Sequence, residues 1–437
     1  MNIFSKKAKI NYFKLGNLSF KVGVFLLASA PFISILFILI ASLVGAFEKT
    51  ENYFKDKWNI PLFISGIFMV MSCIYTTYYN KNLYNDYWDY SLSWIGLLNW
   101  IPFFWFFWAL QPFLISKDDR QNFAKILISG SIPVLISCLL HYFLNWTGPY
   151  STFNGLIIWF QKPILTNEGV TGLFNNPNYT GAYINIIWPF LLASILNKKL
   201  NKYSKIFIFI LIISSSIIVF LTLSRNAWLG YFLTCSLTTL TLLNFSVFKN
   251  YIILFSFPTA IFIYFLNNFN FSFFNLFFEK ISREISPSNY QNIDMTRLEI
   301  WIFAIKNMFQ RPIFGWGAAS FPVLLEMNYK AWKGHAHNLF LEIGVSYGLP
   351  FLLLILIFII LIMYKSLKII FREYSFKNRL NSNNLFENAW YFSLIVLIIS
   401  QMFDVQYFDG RISFIFWILL AGMKNKITNK KNSKINF

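Results

Sequence analysis

The sequence predicts an all-α polytopic membrane protein with about 11–12 transmembrane helices. Of its 437 residues, 57% are hydrophobic and only 13% are charged. The apolar residues come in blocks of roughly 17–25, the length that an α-helix needs to cross a bilayer. The basic residues collect in short segments between these blocks. We expect residues 1–437 to form a single integral membrane domain.

A net charge of +19 is high enough to suggest nucleic acid as a partner. However, 19 of the 37 basic residues lie in four segments, at 1–21, 197–205, 364–379 and 424–437. Basic residues in short segments beside apolar blocks are typical of cytoplasmic loops. We therefore expect membrane lipids, and no nucleic acid, as partners. The three cysteines lie inside apolar stretches, so no disulfide framework or zinc site is indicated.

Eleven apolar stretches are candidate membrane spans. They are Val22–Ala46, Ile60–Tyr79, Ser91–Ile115, Phe123–Asn145, Tyr179–Leu196, Lys205–Leu223, Ala227–Leu243, Tyr251–Leu266, Asn338–Met363, Glu387–Phe403 and Arg411–Met423. An odd number of spans places the two lysine-rich tails on opposite sides, against the rule that basic segments share one side. Either one tail lies outside, or the count is wrong by one. Ser91–Ile115 as a hairpin at Pro102 and Pro112, or a membrane dip at 151–165, would correct the count.

Residues 267–337 are the longest interruption between apolar blocks. This segment has 71 residues, which is too long for a simple connection, and Met295–Met308 is amphipathic enough to form a helix. The alternation of basic and non-basic loops in the C-terminal half places it on the outer face. We therefore expect one large periplasmic loop that contains short helices.

Two of the three histidines, His335 and His337, lie where this loop ends, followed by Asn338 and Glu342. Imidazole changes its charge near neutral pH, so His337 is a candidate general base, although a purely structural hydrogen bond is the alternative. On a regular helix His335 would not share a face with His337. Glu342 is costly in lipid and should point inward. The His-x-His pair has no third ligand at the usual spacing, so no metal is expected.

Two arginines also stand out. Arg225 is the one charged residue between two closely spaced outer span ends, where it either anchors a helix end or binds an anion. Arg297 either pairs with Asp294 or Glu299 or binds phosphate. Asp404, Asp409 and Arg411 share the last outer loop, where they either bind a substrate or pair with basic loop residues.

Four motifs resemble, in order and spacing, those of the O-antigen ligase and polymerase superfamily of membrane glycosyltransferases. They are Gly172–Asn178 (GLFNNPN), Thr222–Trp228 (TLSRNAW), Thr296–Trp301 (TRLEIW) with the turn Phe314–Gly317 (FGWG), and His337–Glu342 (HNLFLE). The resemblance covers about residues 165–360. It implies a GT-C-like fold in the cytoplasmic (inner) membrane, with the active site facing the periplasm.

The resemblance also implies a reaction that needs no cofactor or metal. Members transfer a glycan from an undecaprenyl diphosphate carrier to an acceptor, which is a lipid-linked or growing glycan or a protein. By motif, His337 corresponds to the general base, and Arg225 and Arg297 to the residues that bind the diphosphate. Asn338, Glu342 and His335 would support the site. If Asn338 caps the next helix, its free N–H groups would favour phosphate and disfavour protonation of His337.

Two other classes of function remain open. The Asp-x-x-Tyr-Phe-Asp-x-Arg pattern at Asp404–Arg411 is similar to a branch of the superfamily described as bicarbonate transporters. A transporter of bicarbonate or another small anion would carry ionisable residues near the middle of its spans, which are almost uncharged here. A scaffold for other envelope proteins would leave the placement of His337, Arg225 and Arg297 unexplained.

Overall fold

The computed structural model describes residues 2–49, 52–79, 89–164, 169–197, 199–242, 295–373 and 382–435. The helices before residue 150 are α1 (Asn2–Leu26), α2 (Pro31–Glu48), α3 (Ile60–Tyr79), α4 (Ser91–Gly96), α5 (Ile101–Ala109) and α6 (Lys117–Phe143). Those after it are α7 (Pro177–Ile195), α8 (Lys202–Leu221), α9 (Arg225–Leu242), α10 (Arg297–Gln310), α11 (Ser320–Tyr329), α12 (Leu339–Tyr347), α13 (Leu349–Glu373), α14 (Ser382–Ser400) and α15 (Gly410–Ile435). The predicted all-α membrane architecture is confirmed.

Six helices in the described ranges are long and apolar enough to cross a membrane. They are α2, α3, the continuous stretch Ser91–Ala109, α6, α8 and Leu349–Ile370 within α13. The helices α7 and α15 are instead buried along most of their length. α7 packs against α6, α8, α9 and α14, and this burial lets it carry polar residues such as Asn185. The candidate span Tyr251–Leu266 and residues 267–294 of the predicted loop lie outside the described residues.

The apolar stretch Val22–Ala46 was predicted to be one span, and this prediction is wrong. The chain reverses at residues 27–30, and Pro31 begins a second helix in the first turn, where proline costs no hydrogen bond. The two helices pack closely side by side, and the Ser34 hydroxyl donates to the Gly23 carbonyl at 2.7 Å. The beginning of α1 and the end of α2 therefore lie at the same end of the bundle.

This hairpin removes the conflict between the two lysine-rich tails. The Lys424 ammonium, in the second half of α15, lies 2.6 Å from Asp56 and 2.7 Å from Gln111. Lys49, directly after α2, donates to the same Gln111 oxygen at 2.5 Å. The end of α15, the end of α2 and the start of α1 are thus on one side, which we call the tail side.

Buried ion pairs hold the helices together on the tail side. Arg120 in the first turn of α6 lies 2.6 Å from Glu387 near the start of α14, and both side chains are at most 3% exposed. Lys426 of α15 approaches the other oxygen of Glu387 at 3.3 Å. Because α14 starts here and ends at Ser400, residues 400–404 lie at the opposite end of the bundle, which we call the site side.

The two alternative corrections to the span count are not what the structure shows. Residues 91–109 run on as one span without a hairpin, and Pro102 lies in the first turn of α5. Residues 150–159 form a β-hairpin of β1 (Tyr150–Thr152) and β2 (Ile157–Trp159), with Tyr150 opposite Trp159. The Trp159 indole donates to the Ser29 carbonyl at 2.8 Å, which fixes this hairpin on the turn between α1 and α2.

The predicted span Asn338–Met363 is divided into α12 and α13. Gly348 separates them with a φ of +86°, a conformation that residues with a side chain rarely adopt. A Cβ at Gly348 would also collide with the Ile313 carbonyl. The break separates the short helix α12, which follows the histidines, from the membrane span. Together with α10 and α11, α12 forms a small helical layer on the site side.

Candidate functional site

The turn at residues 400–404, after α14, is the centre of the site. Each of the four motifs noted in the sequence contacts it. Three do so by side-chain hydrogen bonds: Asn178 donates to Asp404 Oδ2 (2.8 Å), Asn226 to the Ser400 carbonyl (3.0 Å) and Asn338 to the Met402 carbonyl (3.0 Å). The fourth does so by a ring contact, since the centres of the Trp301 and Phe403 rings are 6.3 Å apart. The backbone N–H of Leu339 also donates to the Gln401 carbonyl at 2.8 Å. Residues from segments 172–178 to 337–342 are thus brought to one turn.

Asn338 is the N-cap of α12, which meets the condition set for it in the sequence analysis. Its side-chain oxygen accepts hydrogen bonds from the backbone N–H groups of Phe340 and Leu341, at 3.0 and 3.2 Å. The residue before it, His337, has a φ of +50° in the left-handed region. This conformation turns the chain sharply, so the histidines precede the helix and do not lie along it. His337 therefore stands beside a helix N-terminus, where the backbone dipole favours anions.

Both imidazoles face the same carboxylate. Asp404 Oδ1 lies 3.3 Å from His337 Nδ1 and 3.5 Å from His335 Nε2. On a regular helix the two histidines would not share a face, but they precede α12, and both reach Asp404. The backbone N–H of His337 donates to His335 Nδ1 at 3.1 Å, so His335 carries its proton on Nε2. This arrangement lets His335 donate to Asp404.

The tautomer of His337 follows from the same contacts. Asp404 is almost fully buried and ionised, so it accepts a hydrogen bond from the Nδ1–H group of His337. A neutral His337 with its proton on Nδ1 has an Nε2 lone pair that can accept a proton. The side chain of His337 is 26% exposed, so a molecule outside the protein can reach it.

The charges of this cluster are set by burial and by mutual contacts. The pKa of His335 is lowered to about 4. Burial is the largest cause, Asp404 opposes it, and His337 and Arg297 add to the lowering. Burial raises the pKa of Asp404, but the His337 hydrogen bond and the two imidazoles outweigh burial and hold it below its usual value. At neutral pH the cluster therefore holds one carboxylate and a neutral His335.

Glu342 points inward, as expected from its position on α12. It is 3% exposed, and its carboxyl oxygen accepts a hydrogen bond from the backbone N–H of Ala336 at 2.8 Å. Burial raises the pKa of Glu342 to about 7, and the Ala336 hydrogen bond opposes that rise. Glu342 thus fixes the backbone between His335 and His337 and acts as a positioning residue.

The two arginines begin separate helices on the site side. Arg225 is the exposed first residue of α9, one residue before Asn226, which contacts the 400–404 turn. Arg297 is the first residue of α10, four residues before Trp301. The positive charge of Arg297 contributes to the lowered pKa of His335. Glu299, which the sequence suggests as an ion-pair partner of Arg297, forms a capping box with Thr296.

Asp409 and Arg411, the other charged residues of the 404–411 loop, pair with each other. Arg411 donates to both oxygens of Asp409, at 2.8 and 2.5 Å, and its guanidinium lies 3.8 Å from the centre of the Phe174 ring. It also donates to the Leu173 carbonyl at 3.1 Å. This pair holds the 172–178 motif against the loop, so Asp409 and Arg411 have a structural role. Asn176 caps α7, where its side chain accepts a hydrogen bond from the backbone N–H of Asn178.

Asp404 supplies the third candidate metal ligand that the sequence spacing did not reveal. One ligand atom from each of His335, His337 and Asp404 lies within 4.8 Å of the others. Two histidines and a carboxylate are a common donor set for Zn²⁺. The same three groups are also joined by the contacts described above, so a proton-transfer role needs no metal. Asp404 lies 67 residues after His337, and the sequence suggested it as a substrate-binding or ion-pairing residue, not as a partner of the histidines.

Comparison with known proteins finds similarity over part of this site. Residues 208–356 match the family model described as O-antigen ligase, and this range includes Arg225, Arg297 and His337. A ComP-specific O-oligosaccharyltransferase from Acinetobacter baylyi is 25% identical over 389 residues, which cover 81% of this chain. The aligned region spans 64% of that relative's own length. The resemblance to the O-antigen ligase superfamily is therefore confirmed over residues 208–356 of this multi-pass membrane protein.

Proposed function

We propose that this protein is a glycosyltransferase that moves a glycan from undecaprenyl diphosphate to an acceptor hydroxyl. The acceptor is a sugar of a lipid-linked or growing glycan, or a protein side chain. The reaction takes place on the periplasmic face of the inner membrane and needs no metal. The relative from Acinetobacter baylyi, named an oligosaccharyltransferase, supports the transfer of an assembled glycan.

One observation carries this proposal. The four motifs shared with glycan ligases converge on the 400–404 turn, and there Asp404 orients His337 at 3.3 Å. A carboxylate that holds an imidazole by Nδ1–H leaves Nε2 as the proton acceptor, which is the arrangement that general base catalysis requires. The aspartate lies outside the matched family region, and its contact with His337 is known from the geometry alone.

The chemistry is a single displacement. His337 Nε2 takes the proton of the acceptor hydroxyl, and the acceptor oxygen forms a bond to the anomeric carbon. The bond between that carbon and the diphosphate oxygen breaks, and the diphosphate leaves with the bonding electrons. Attack from the face opposite the leaving group inverts the anomeric carbon. General base catalysis of this kind contributes roughly 10²–10⁴-fold in rate.

The leaving diphosphate gains negative charge as the bond breaks. We assign Arg225 and Arg297 to this charge, because both begin helices beside the site and keep their positive charge at all relevant pH values. A planar guanidinium binds phosphate oxygens in pairs, which is the role that a metal ion has in many other transferases. The N-terminus of α12, capped by Asn338, adds N–H groups that favour an anion.

The transporter alternative rested on the Asp404–Arg411 pattern. In the structure Asp409 and Arg411 pair with each other, and Asp404 binds the two histidines and Asn178. These contacts account for all three charged residues of the pattern without a transported anion. They therefore favour the enzyme.

The test uses cells that lack the native gene and express the wild type or the His337→Ala variant. Membrane insertion is confirmed by fractionation, surface glycans are separated on a gel, and lipid-linked precursors are measured by mass spectrometry. We expect the variant to lose transferred glycan and to accumulate glycan on undecaprenyl diphosphate. Unchanged surface glycan in the inserted variant would overturn the proposal.

A further inference from the structure

A cavity separate from the histidine cluster lies between α10 and α11. Its volume is about 140 Å³. The residues that line it are Phe303, Lys306, Asn307, Gln310, Trp316, Leu324, Met327 and Asn328. A cavity of about 150 Å³ in another protein holds one benzene molecule, so a volume of this size accommodates a single six-membered ring. It is too small for a lipid chain or a folded peptide.

The lining has two kinds of surface. Phe303, Trp316, Leu324 and Met327 are apolar, whereas Lys306, Asn307, Gln310 and Asn328 carry hydrogen-bonding groups. A pyranose ring has the matching pattern, with C–H groups on its faces and hydroxyls around its rim. Aromatic walls with a few placed polar groups are the usual composition of a small-ligand pocket.

The amide groups have capacity for a ligand. Asn307 donates one N–H to the Phe303 carbonyl, and Asn328 donates one to the Leu324 carbonyl, at 2.8 and 2.7 Å. Each amide has a second N–H and a carbonyl oxygen with two lone pairs. Groups that both donate and accept suit hydroxyls, which do the same.

The cavity is rigidly connected to α12. The Trp316 indole donates to the Asn307 carbonyl at 2.8 Å, and the Arg311 guanidinium lies 3.9 Å from the centre of its ring. The backbone N–H groups of Trp316 and Gly317 donate to the carbonyls of Val345 and Ser346, at 2.8 and 2.9 Å. One wall of the cavity is therefore fixed to the C-terminal end of α12.

The reacting centre is at the other end of the same helix. His337 precedes α12, which has nine residues and is therefore about 13 Å long. A single sugar at the reacting bond is too small to reach the cavity across that distance. Only a sugar further along an extended glycan can reach it.

We propose that the cavity binds one pyranose unit of a glycan chain, several sugars away from the bond that is made. This inference rests on the proposed glycan transfer. The glycan belongs either to the donor or to the acceptor, and the cavity chemistry is the same for both. Its role is to favour substrates that are already assembled over single sugars.

The experiment uses the full chain in lipid nanodiscs with donors that carry one sugar or a pentasaccharide, and with acceptors of the same two lengths. The double variant Gln310→Ala/Asn328→Ala removes two hydrogen-bonding groups. We expect it to raise KM about tenfold for the long form of whichever substrate uses the cavity. The KM of single-sugar substrates and kcat should stay unchanged. The donor and acceptor arms identify the source of the glycan.

Two further variants make the result decisive. Met327→Trp at the exposed rim should fill the cavity and give the same selective loss, and Glu326→Gln on the same helix is the matched control, expected to behave as the wild type. Equal effects on long and short substrates, or none, would overturn the inference.

Binding of the free pentasaccharide is also measured by saturation-transfer NMR. Binding that Met327→Trp abolishes, in a protein that transfers nothing, would support the cavity and reject the transferase.

Discussion

Asp404 and Asp409 are five residues apart in one loop. The structure predicts that substitution of Asp404 lowers activity, whereas substitution of Asp409 lowers stability. In Asp404→Asn the side chain keeps its shape, and its oxygen still accepts from the Asn178 amide. It no longer provides the negative charge that faces His337 at 3.3 Å and His335 at 3.5 Å. We expect kcat to fall by roughly 10²–10⁴-fold, the range of a general base contribution, with stability little changed.

The Asp409→Asn substitution is expected to lower the stability of the fold. Arg411 is 6% exposed and bonds both oxygens of Asp409, so the variant leaves a buried guanidinium without its counter-charge. Breaking one partner of a buried ion pair costs about 3–5 kcal/mol. We expect a lower melting temperature but a near-normal kcat for the folded fraction.

The assay measures transfer from a lipid-linked glycan in nanodiscs, with enzyme concentration set by the folded, monodisperse fraction. Melting is followed in detergent by intrinsic fluorescence. If Asp404→Asn retained more than a tenth of the wild-type kcat, or if Asp409→Asn were the less active of the two per folded molecule, the assignment of Asp404 as the partner of His337 would be wrong.

Three further predictions concern residues around the same cluster. Burial raises the pKa of Glu342 from 4.5 to about 7, so the native state holds an extra proton between these values, and the contribution of Glu342 to stability should fall by about 3 kcal/mol as pH rises through them. The lowered pKa of His335 contributes a rise in stability over an overlapping pH range, so the test is the difference between Glu342→Gln and the wild type in melting curves at pH 5 and 8; an equal pH dependence of the two proteins would argue against this role of Glu342. Added Zn²⁺ should inhibit transfer by binding His335, His337 and Asp404, whereas EDTA alone should leave the rate unchanged; inhibition by EDTA would instead indicate a required metal. Gly348→Ala, at a φ of +86°, should destabilise the junction of α12 and α13 by about 1–3 kcal/mol in melting experiments, and a melting temperature equal to that of the wild type would contradict this.

The fold class was predictable because it depends on composition. Long apolar blocks must form helices in a bilayer whatever their partners, so most of the candidate spans appear as helices. Val22–Ala46 was misread because hydropathy does not detect a reversal. Its turn at residues 27–30 is itself apolar, and only Pro31 marked the start of the second helix.

The site was only partly predictable from the sequence. The cap formed by Asn338 and the inward position of Glu342 depend on neighbours within the same segment, and local rules anticipated both. The role of Asp404 depends on a contact across 67 residues, which no spacing rule covers. The left-handed φ of His337 was equally hidden, and without it the two histidines appeared to face different directions.

The buried ion pairs on the tail side restrict how the bundle can move. Rocking between inward-open and outward-open states would separate Arg120 from Glu387 and Lys424 from Asp56, at about 3–5 kcal/mol for each charge left alone. Helix ends far from these anchors do not bear that cost. Any opening of the bundle therefore costs less free energy at the site side than at the tail side.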